Sequence, residues 1–200
     1  MTILLLIRHG ATDALGTYLA GRQPGLHLNA EGQQQALRLA ERLAHLDISA
    51  VLSSPLERAL ETAAPIAARH LKEILVCEEL NEIDFGDWTG RPFSELSQLP
   101  LWQAFNVFRS STRIPGGELM VSVQQRAVGC LQAFSNNAAG GILALVSHAD
   151  VIKAALCHYA GMPLDLLLRL RIDPGSVSGI SVADRGAEIL FLNLTDSLGL

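Results

Sequence analysis

Apolar positions along the chain fall into two alternating patterns, unbroken runs and helically spaced faces. "TILLLIR", from Thr2, is a continuous apolar run, as expected of a parallel strand covered on both faces. From Asn29, "NAEGQQQALRLAERLAHL" spaces Ala36, Leu39, Ala40, Leu43 and Leu46 along one helical face, with Asn29 as the N-cap. "ISAVLSS" predicts a short strand. "PLERALETAAPIAARHL" predicts a helix with Pro55 in its first turn, and Pro65 predicts a kink or restart within it. "EILVCEEL" reads as a third strand ending at Leu80. From Gly86 to Gly117 the pattern is irregular, with short helical pieces that carry Trp88, Trp102, Phe105, Phe108, Arg109 and Arg113. A further helix is expected from Glu118 to about Asn136, then the strand "GGILALVSH" and the helix "ADVIKAALCHYAG". "SGISVAD" and "AEILFLNLT" predict two last strands joined by a turn at Asp184-Arg185-Gly186.

Strands alternating with helices of this length indicate an α/β fold around a mainly parallel sheet, here expected as a three-layer α/β/α sandwich. No repeat, low-complexity tract or linker divides the chain, so residues 1–200 are expected to form one domain, with about 86–117 as a substrate-lid insertion. In open α/β sheets, ligands sit outside the carboxyl ends of the strands. Arg8-His9 follows the first strand and Ser147-His148 a later one, so both histidines should open onto the same edge. Arg58 falls one turn into the helix after "AVLSS", and Glu82 just past the strand ending at Leu80. A lone strand-end histidine is more often solvated or capping than catalytic, and Arg58 alone could serve a surface pair. Five such coincidences at one edge are harder to dismiss.

Composition narrows the functions available. A hydrophobic content of 49 % with a net charge of −5 describes a globular chain without a basic stripe, which gives no reason to expect nucleic acid. No apolar run approaches the roughly 18 residues of a membrane span, and the start has no signal-peptide pattern. Cys77, Cys130 and Cys157 are odd in number and lack C-x-x-C spacing, which disfavours a disulfide framework or a zinc site and fits free thiols in a reducing cytoplasm. Neither a P-loop nor G-x-G-x-x-G occurs, so nucleotide cofactors lack support.

The motifs now in view resemble, in order and over most of the chain, those of the histidine phosphatase superfamily, the phosphoglycerate-mutase-like family. "LLLIRHGAT" resembles its R-H-G phosphohistidine motif, "LSSPLERALETA" its S-x-x-x-R-A-x-x-T-A segment, and "LALVSHADVIKA" the segment with the second histidine. "LNEIDFGDWTG" resembles the acid loop, whose Leu-x-Glu before Phe-Gly selects Glu82. The residues alone leave Glu78, Glu79, Asp84 and Asp87 as competitors. "GRQPGLHLNAEGQQQA" and "PGGE" also match in kind.

The resemblance implies a metal-independent phosphatase, without cofactor, acting on a small phosphorylated metabolite. Arg8 and Arg58 would offer planar forks to the phosphoryl oxygens, and His148 would donate to a third. His9 would attack phosphorus in line, its other ring nitrogen held by an acceptor such as a backbone carbonyl. Gly10 would let the backbone pass close to the phosphate. Glu82, its pKa raised beside Phe85 or Trp88, would serve as acid and then base. Thr12, Arg22 and Ala149 are further candidate substrate contacts, with a solvated loop charge as the alternative for Arg22.

Departures from the family pattern fall where substrate is selected. Ala11 stands where an acidic residue or Gln is common, His27 lies in "GLHLN", and Ala149 replaces a commoner Gly. The mutases' asparagine has no clear counterpart in "DALGTYLAG". With one sizeable insertion and the chain ending at "NLTDSLGL", little is expected to close over the site, which favours a phosphatase over a phosphomutase. A silent phosphate-binding module is the alternative from another class, and a homodimer stays open. His45, His70 and His158 have no partner at metal-ligand spacing, and Trp88, Phe105 and Phe108 are expected to pack, or to wall the substrate site.

Overall fold

The computed structural model describes residues 1–138 and 140–195. Six strands form one sheet: β1 (Thr2–Arg8), β2 (Ile48–Ser53), β3 (Ile74–Val76), β4 (Gly141–Ser147), β5 (Val177–Ala183) and β6 (Gly186–Leu194). Their spatial order is β3-β2-β4-β1-β5-β6. The first four in that order run parallel, while β5 is antiparallel to both β1 and β6.

Period-2 alternation in the apolar strand β1 builds the layers. Leu5 and Ile7 pack on one face with α1 (Ala30–Leu43) and α2 (Glu57–Arg69), through Leu39, Leu43, Ala59, Ala63 and Ile66. Leu4 and Leu6 pack on the other with α5 (Met120–Asn137) and α6 (Ala149–Tyr159), through Leu131, Ile152, Ala155 and Leu156. The result is the expected three-layer α/β/α arrangement. No helix among the described residues is long and apolar enough to cross a membrane.

Asn29 caps α1 as expected, its side chain accepting from the Gly32 amide. Three local expectations need correction. Helix α2 begins at Glu57 behind an N-cap at Leu56, so Pro55 lies just outside it. Pro65 neither restarts nor ends this helix, which runs on to Arg69, held by Ala59, Ala63, Ile66 and Ala67 in the core. The strand expected from Glu73 to Leu80 is only three residues long. After Val76 the Cys77 amide makes a last bond to the Ser53 carbonyl, and Glu78–Leu80 turn as a 3-10 helix. Leu75 and Val76 are exposed at this sheet edge, and Leu80 beyond them is buried through the 3-10 turn.

The 86–117 segment is a packed layer. It contains a 3-10 turn (Gly86–Trp88), α3 (Phe93–Leu96) and α4 (Pro100–Val107). Trp88, Leu96, Phe105 and Ile114 are buried with Val123 of α5 and Val151, Ala154 and Cys157 of α6. Arg109 fastens it to α6 by an ion pair to Asp150 at 2.7 Å, its guanidinium lying 4.2 Å from the Phe105 ring centroid. Trp88 and Phe105 are therefore packing residues, whereas Phe108 faces solvent. A 3-10 segment, Leu164–Arg169, which the apolar pattern did not single out, closes the far side of this cluster.

Candidate active site

Strand register brings the two histidines together. β1 and β4 run parallel with Arg8 opposite Ser147, so His9 and His148, each one residue further, emerge side by side. Their ring centroids lie 5.1 Å apart. Ser53 of β2 stands opposite Val146, which delivers Ser54 to the same edge. Arg58 follows on the first turn of α2. An open cavity of about 190 Å³ is lined here by Arg8, His9, Thr12, Arg58, Glu82 and Ala149, among others. His148 is fully buried beside His9 and does not line the cavity.

The hydrogen bonds define roles for the ring nitrogens. His9 Nδ1 donates to the Gly10 carbonyl at 2.7 Å, which leaves Nε2 with its lone pair. Arg58 Nε donates toward that nitrogen at 3.3 Å, while Nη2 holds the Gly21 carbonyl at 2.7 Å. Ser54 Oγ lies 2.7 Å from His148 Nε2 and also accepts from the Leu56 amide. With the hydroxyl donating to Nε2, the His148 proton sits on Nδ1. Arg8 Nη1 donates to the Ile172 carbonyl at 2.7 Å. Three donors from these residues remain buried without a partner: Arg8 Nε, Arg58 Nη1 and His148 Nδ1. Buried donors left unpaired are costly unless an anion completes them.

Electrostatics follow from burial. Burial first, then the Arg58 and Arg8 charges, hold His9 well below the ordinary histidine range. His148 is lowered likewise by burial, then by Arg58 and His9. Glu82 moves the other way, pushed up to about 7 by burial first and then by the Asp150 charge. Its Oε1 accepts from the Ile83 amide at 2.9 Å, and its Oε2 lies 3.8 Å from His148 Nδ1.

Arg22 does not line the cavity. Its guanidinium turns to the acid loop, bonding the Glu82 carbonyl at 2.7 Å and Glu118 at 3.0 Å. Arg126 reaches the same Glu82 carbonyl and the same Glu118, which also accepts from the Asp84 amide. Arg22, Glu118 and Arg126 therefore act as a frame that positions Glu82. Sequence reasoning missed Arg126 and the role of Glu118, since both act through side chains brought close only by tertiary folding.

Gly10 lines the cavity and also packs against the start of α1. A Cβ there would meet the Gly32 carbonyl oxygen at 2.6 Å, and one at Gly32 would meet the Ala11 oxygen at 2.1 Å. The pair of glycines lets the start of α1 lie against the loop after β1. The Gly10 amide is bound by Thr62 Oγ1 at 3.0 Å and that of Ala11 by Gln35 Oε1 at 2.8 Å. Thr62 and Gln35 thus hold the backbone of the loop after β1, and the sequence pattern singles out neither. His27 sits outside the cavity, paired with Glu61.

Away from the cavity, Cys77 and Cys130 stand with their sulfurs 3.0 Å apart, and Cys77 lies 3.1 Å from Glu79 Oε2. Sequence spacing hid this cluster because 53 residues separate the two cysteines.

The family model of the histidine phosphatase superfamily, branch 1, matches residues 4–195. The chain belongs to the histidine phosphatase superfamily. As a histidine phosphatase superfamily member, it is 30 % identical to phosphoserine phosphatase 1 of Hydrogenobacter thermophilus, over 100 % of this chain and 95 % of that relative. It is also 30 % identical to the adenosylcobalamin/alpha-ribazole phosphatase of Escherichia coli, over 95 % of each chain. Among solved structures, the alpha-ribazole phosphatase from Shigella flexneri matches with a TM-score of 0.88 at 29 % identity, covering 100 % of this chain and 99 % of that one.

Proposed function

We propose that this protein is a phosphatase that hydrolyses a small phosphate monoester, without a metal ion, through a phosphohistidine on His9. The observation that carries this reading is the set of three unpartnered buried donors, on Arg8, Arg58 and His148, around an imidazole whose Nε2 bears a lone pair, approached by Arg58 Nε at 3.3 Å. Three donors suit the three non-bridging oxygens of a phosphoryl group. Phosphoryl transfer depends chiefly on positioning and on stabilising those oxygens.

In the first step, His9 Nε2 attacks phosphorus in line while the ester P–O bond breaks. Glu82, carrying a proton because burial raises it to about 7, gives that proton to the leaving oxygen. In the second step, the resulting carboxylate takes a proton from water as the water oxygen bonds to phosphorus and the N–P bond breaks. Inorganic phosphate leaves, and both His9 and Glu82 return to their starting states. Leu15 and Gly16 on the cavity wall are exposed, which supports water reaching the phosphoenzyme. The phosphatase names of the two relatives point the same way.

The test is to quench turnover of a radiolabelled ester within milliseconds. Acid-labile, base-stable phosphate on His9 is expected. His9→Ala should abolish both label and hydrolysis while keeping its circular dichroism. Turnover by that variant near the native rate would overturn the mechanism.

A further inference from the structure

Cations line the cavity only at its phosphate end. Among the described residues, Arg8 and Arg58 are the lysines or arginines of the wall. The other charged groups there are Glu82 and Asp150, both acidic, and Asp150 is already paired with Arg109 and Lys153. Arg22, which follows the wall loop in sequence, is turned away to Glu118. Much of the remaining wall is formed by Ala14, Leu15, Tyr18, Leu19, Phe85 and Phe93.

This apolar wall is built into the fold. The Leu19 amide bonds the Arg91 carbonyl at 2.9 Å, the Gly90 amide the Leu19 carbonyl at 2.7 Å, and the Phe93 amide the Thr17 carbonyl at 3.2 Å. Tyr18 bridges to Pro92 in antiparallel fashion. The loop after β1 is therefore fastened to the start of the 86–117 segment, and together they present two aromatic rings and a leucine-rich surface.

A carboxylate carried a few bonds from the phosphate would enter this wall without a counter-ion and beside two acidic side chains. Losing its hydration there is unfavourable, whereas a ring or hydrocarbon gains by leaving water. We propose that the cavity selects the monophosphate of an uncharged alcohol with an apolar or aromatic body, and rejects phosphoesters that carry a carboxylate. This rests on the phosphatase reading above and adds the substrate class to it.

The experiment compares kcat/KM for 2-phenylethyl phosphate with that for O-phosphoserine and 3-phosphoglycerate. Both carboxylate esters release a more acidic hydroxyl, so intrinsic chemistry favours them and any opposite preference comes from the pocket. At least about a tenfold preference for the phenylethyl ester is expected. Equal or greater efficiency with either carboxylate ester overturns the proposal. Leu15→Arg, at an exposed wall position outside the catalytic groups, should shift the ratio toward phosphoserine by about tenfold. An unmoved ratio counts against the proposal as well. If no ester is hydrolysed at all, the phosphatase reading fails, and calorimetric binding of the same esters still decides selectivity. Tighter binding of the phenylethyl ester would then support it, and tighter binding of phosphoserine would overturn it.

Discussion

Glu82 Oε2 stands 3.8 Å from His148 Nδ1, and both groups are held toward their neutral forms. In water an acid and an imidazole at this distance would exchange a proton and pair as ions. Burial acts against both charged forms, and the neighbouring Arg58 further disfavours a charged His148. The site therefore keeps a carboxyl that can give a proton beside an imidazole that can donate an N–H.

That pairing makes leaving-group chemistry diagnostic for Glu82. Glu82→Gln should lower kcat/KM for an alkyl ester by about a hundred- to ten-thousand-fold, since the alkoxide needs a proton. The loss on p-nitrophenyl phosphate should stay below about tenfold, because nitrophenolate leaves unaided. In the native protein, alkyl-ester kcat/KM should fall as pH rises through about 7, where Glu82 loses its proton. The aryl ester should lack that limb, and so should the variant. Steady-state profiles with both esters check this, and equal losses on the two would mark Glu82 as positional.

A Ser54 hydroxyl that donates to His148 Nε2 leaves the ring proton on Nδ1. Ser54→Ala removes that donor and frees the ring to place its proton on Nε2, away from the phosphate. Inorganic phosphate should then inhibit about tenfold more weakly, with a matching fall in kcat/KM. Inhibition constants measured beside a thermal melt separate this from simple unfolding. An unchanged phosphate constant in a folded variant would dissociate Ser54 from the tautomer.

Activity should survive exhaustive EDTA treatment. The positive charge that stabilises the transferred group is expected from Arg8 and Arg58, with His148 as a neutral donor. The cavity's two carboxylates are poor ligands, since Glu82 holds its proton up to about pH 7 and Asp150 is engaged by Arg109 and Lys153. Phosphate release from p-nitrophenyl phosphate before and after chelation reads this directly. A loss restored by a divalent ion would reassign the chemistry to a carboxylate-bound metal.

Legibility in the sequence followed the range of the interaction. Strand β1, helix α1 with its Asn29 cap, and the strand-end positions of His9 and His148 are local patterns, so periodicity and the carboxyl-end rule located them. Strand β3 is shorter than its apolar pattern because Leu80 reaches the core through a 3-10 turn, which a run of apolar residues does not distinguish from a strand. Pro65 was misjudged because buried neighbours on α2 outweigh its local cost. For Arg22 the sequence leaves open both a substrate contact and a solvated loop charge. Glu118, 96 residues away, claims it instead. The packing of Gly10 on the Gly32 backbone leaves no trace in the sequence pattern. Contacts of this kind exist only once the helix has docked on the loop.

The functional carboxyl should also cost stability. Folding raises Glu82 from its ordinary 4.5 to about 7, so the folded state disfavours the ionised form. Below pH 4.5 the group is protonated whether folded or unfolded and adds no pH-dependent term. As pH rises from there to about 7, the unfolded chain ionises more readily, and stability falls until it levels off. The full effect is about 3 to 4 kcal/mol, at roughly 1.4 kcal/mol per pKa unit. Glutamine keeps an oxygen for the Ile83 amide but carries no charge. Glu82→Gln should therefore unfold a few degrees above the native protein at pH 8 and close to it at pH 4. Calorimetric melts at the two pH values check this. A variant that gains nothing at pH 8 would show that the folded carboxyl titrates near its ordinary value, and the proton donor of the first step would have to be sought elsewhere.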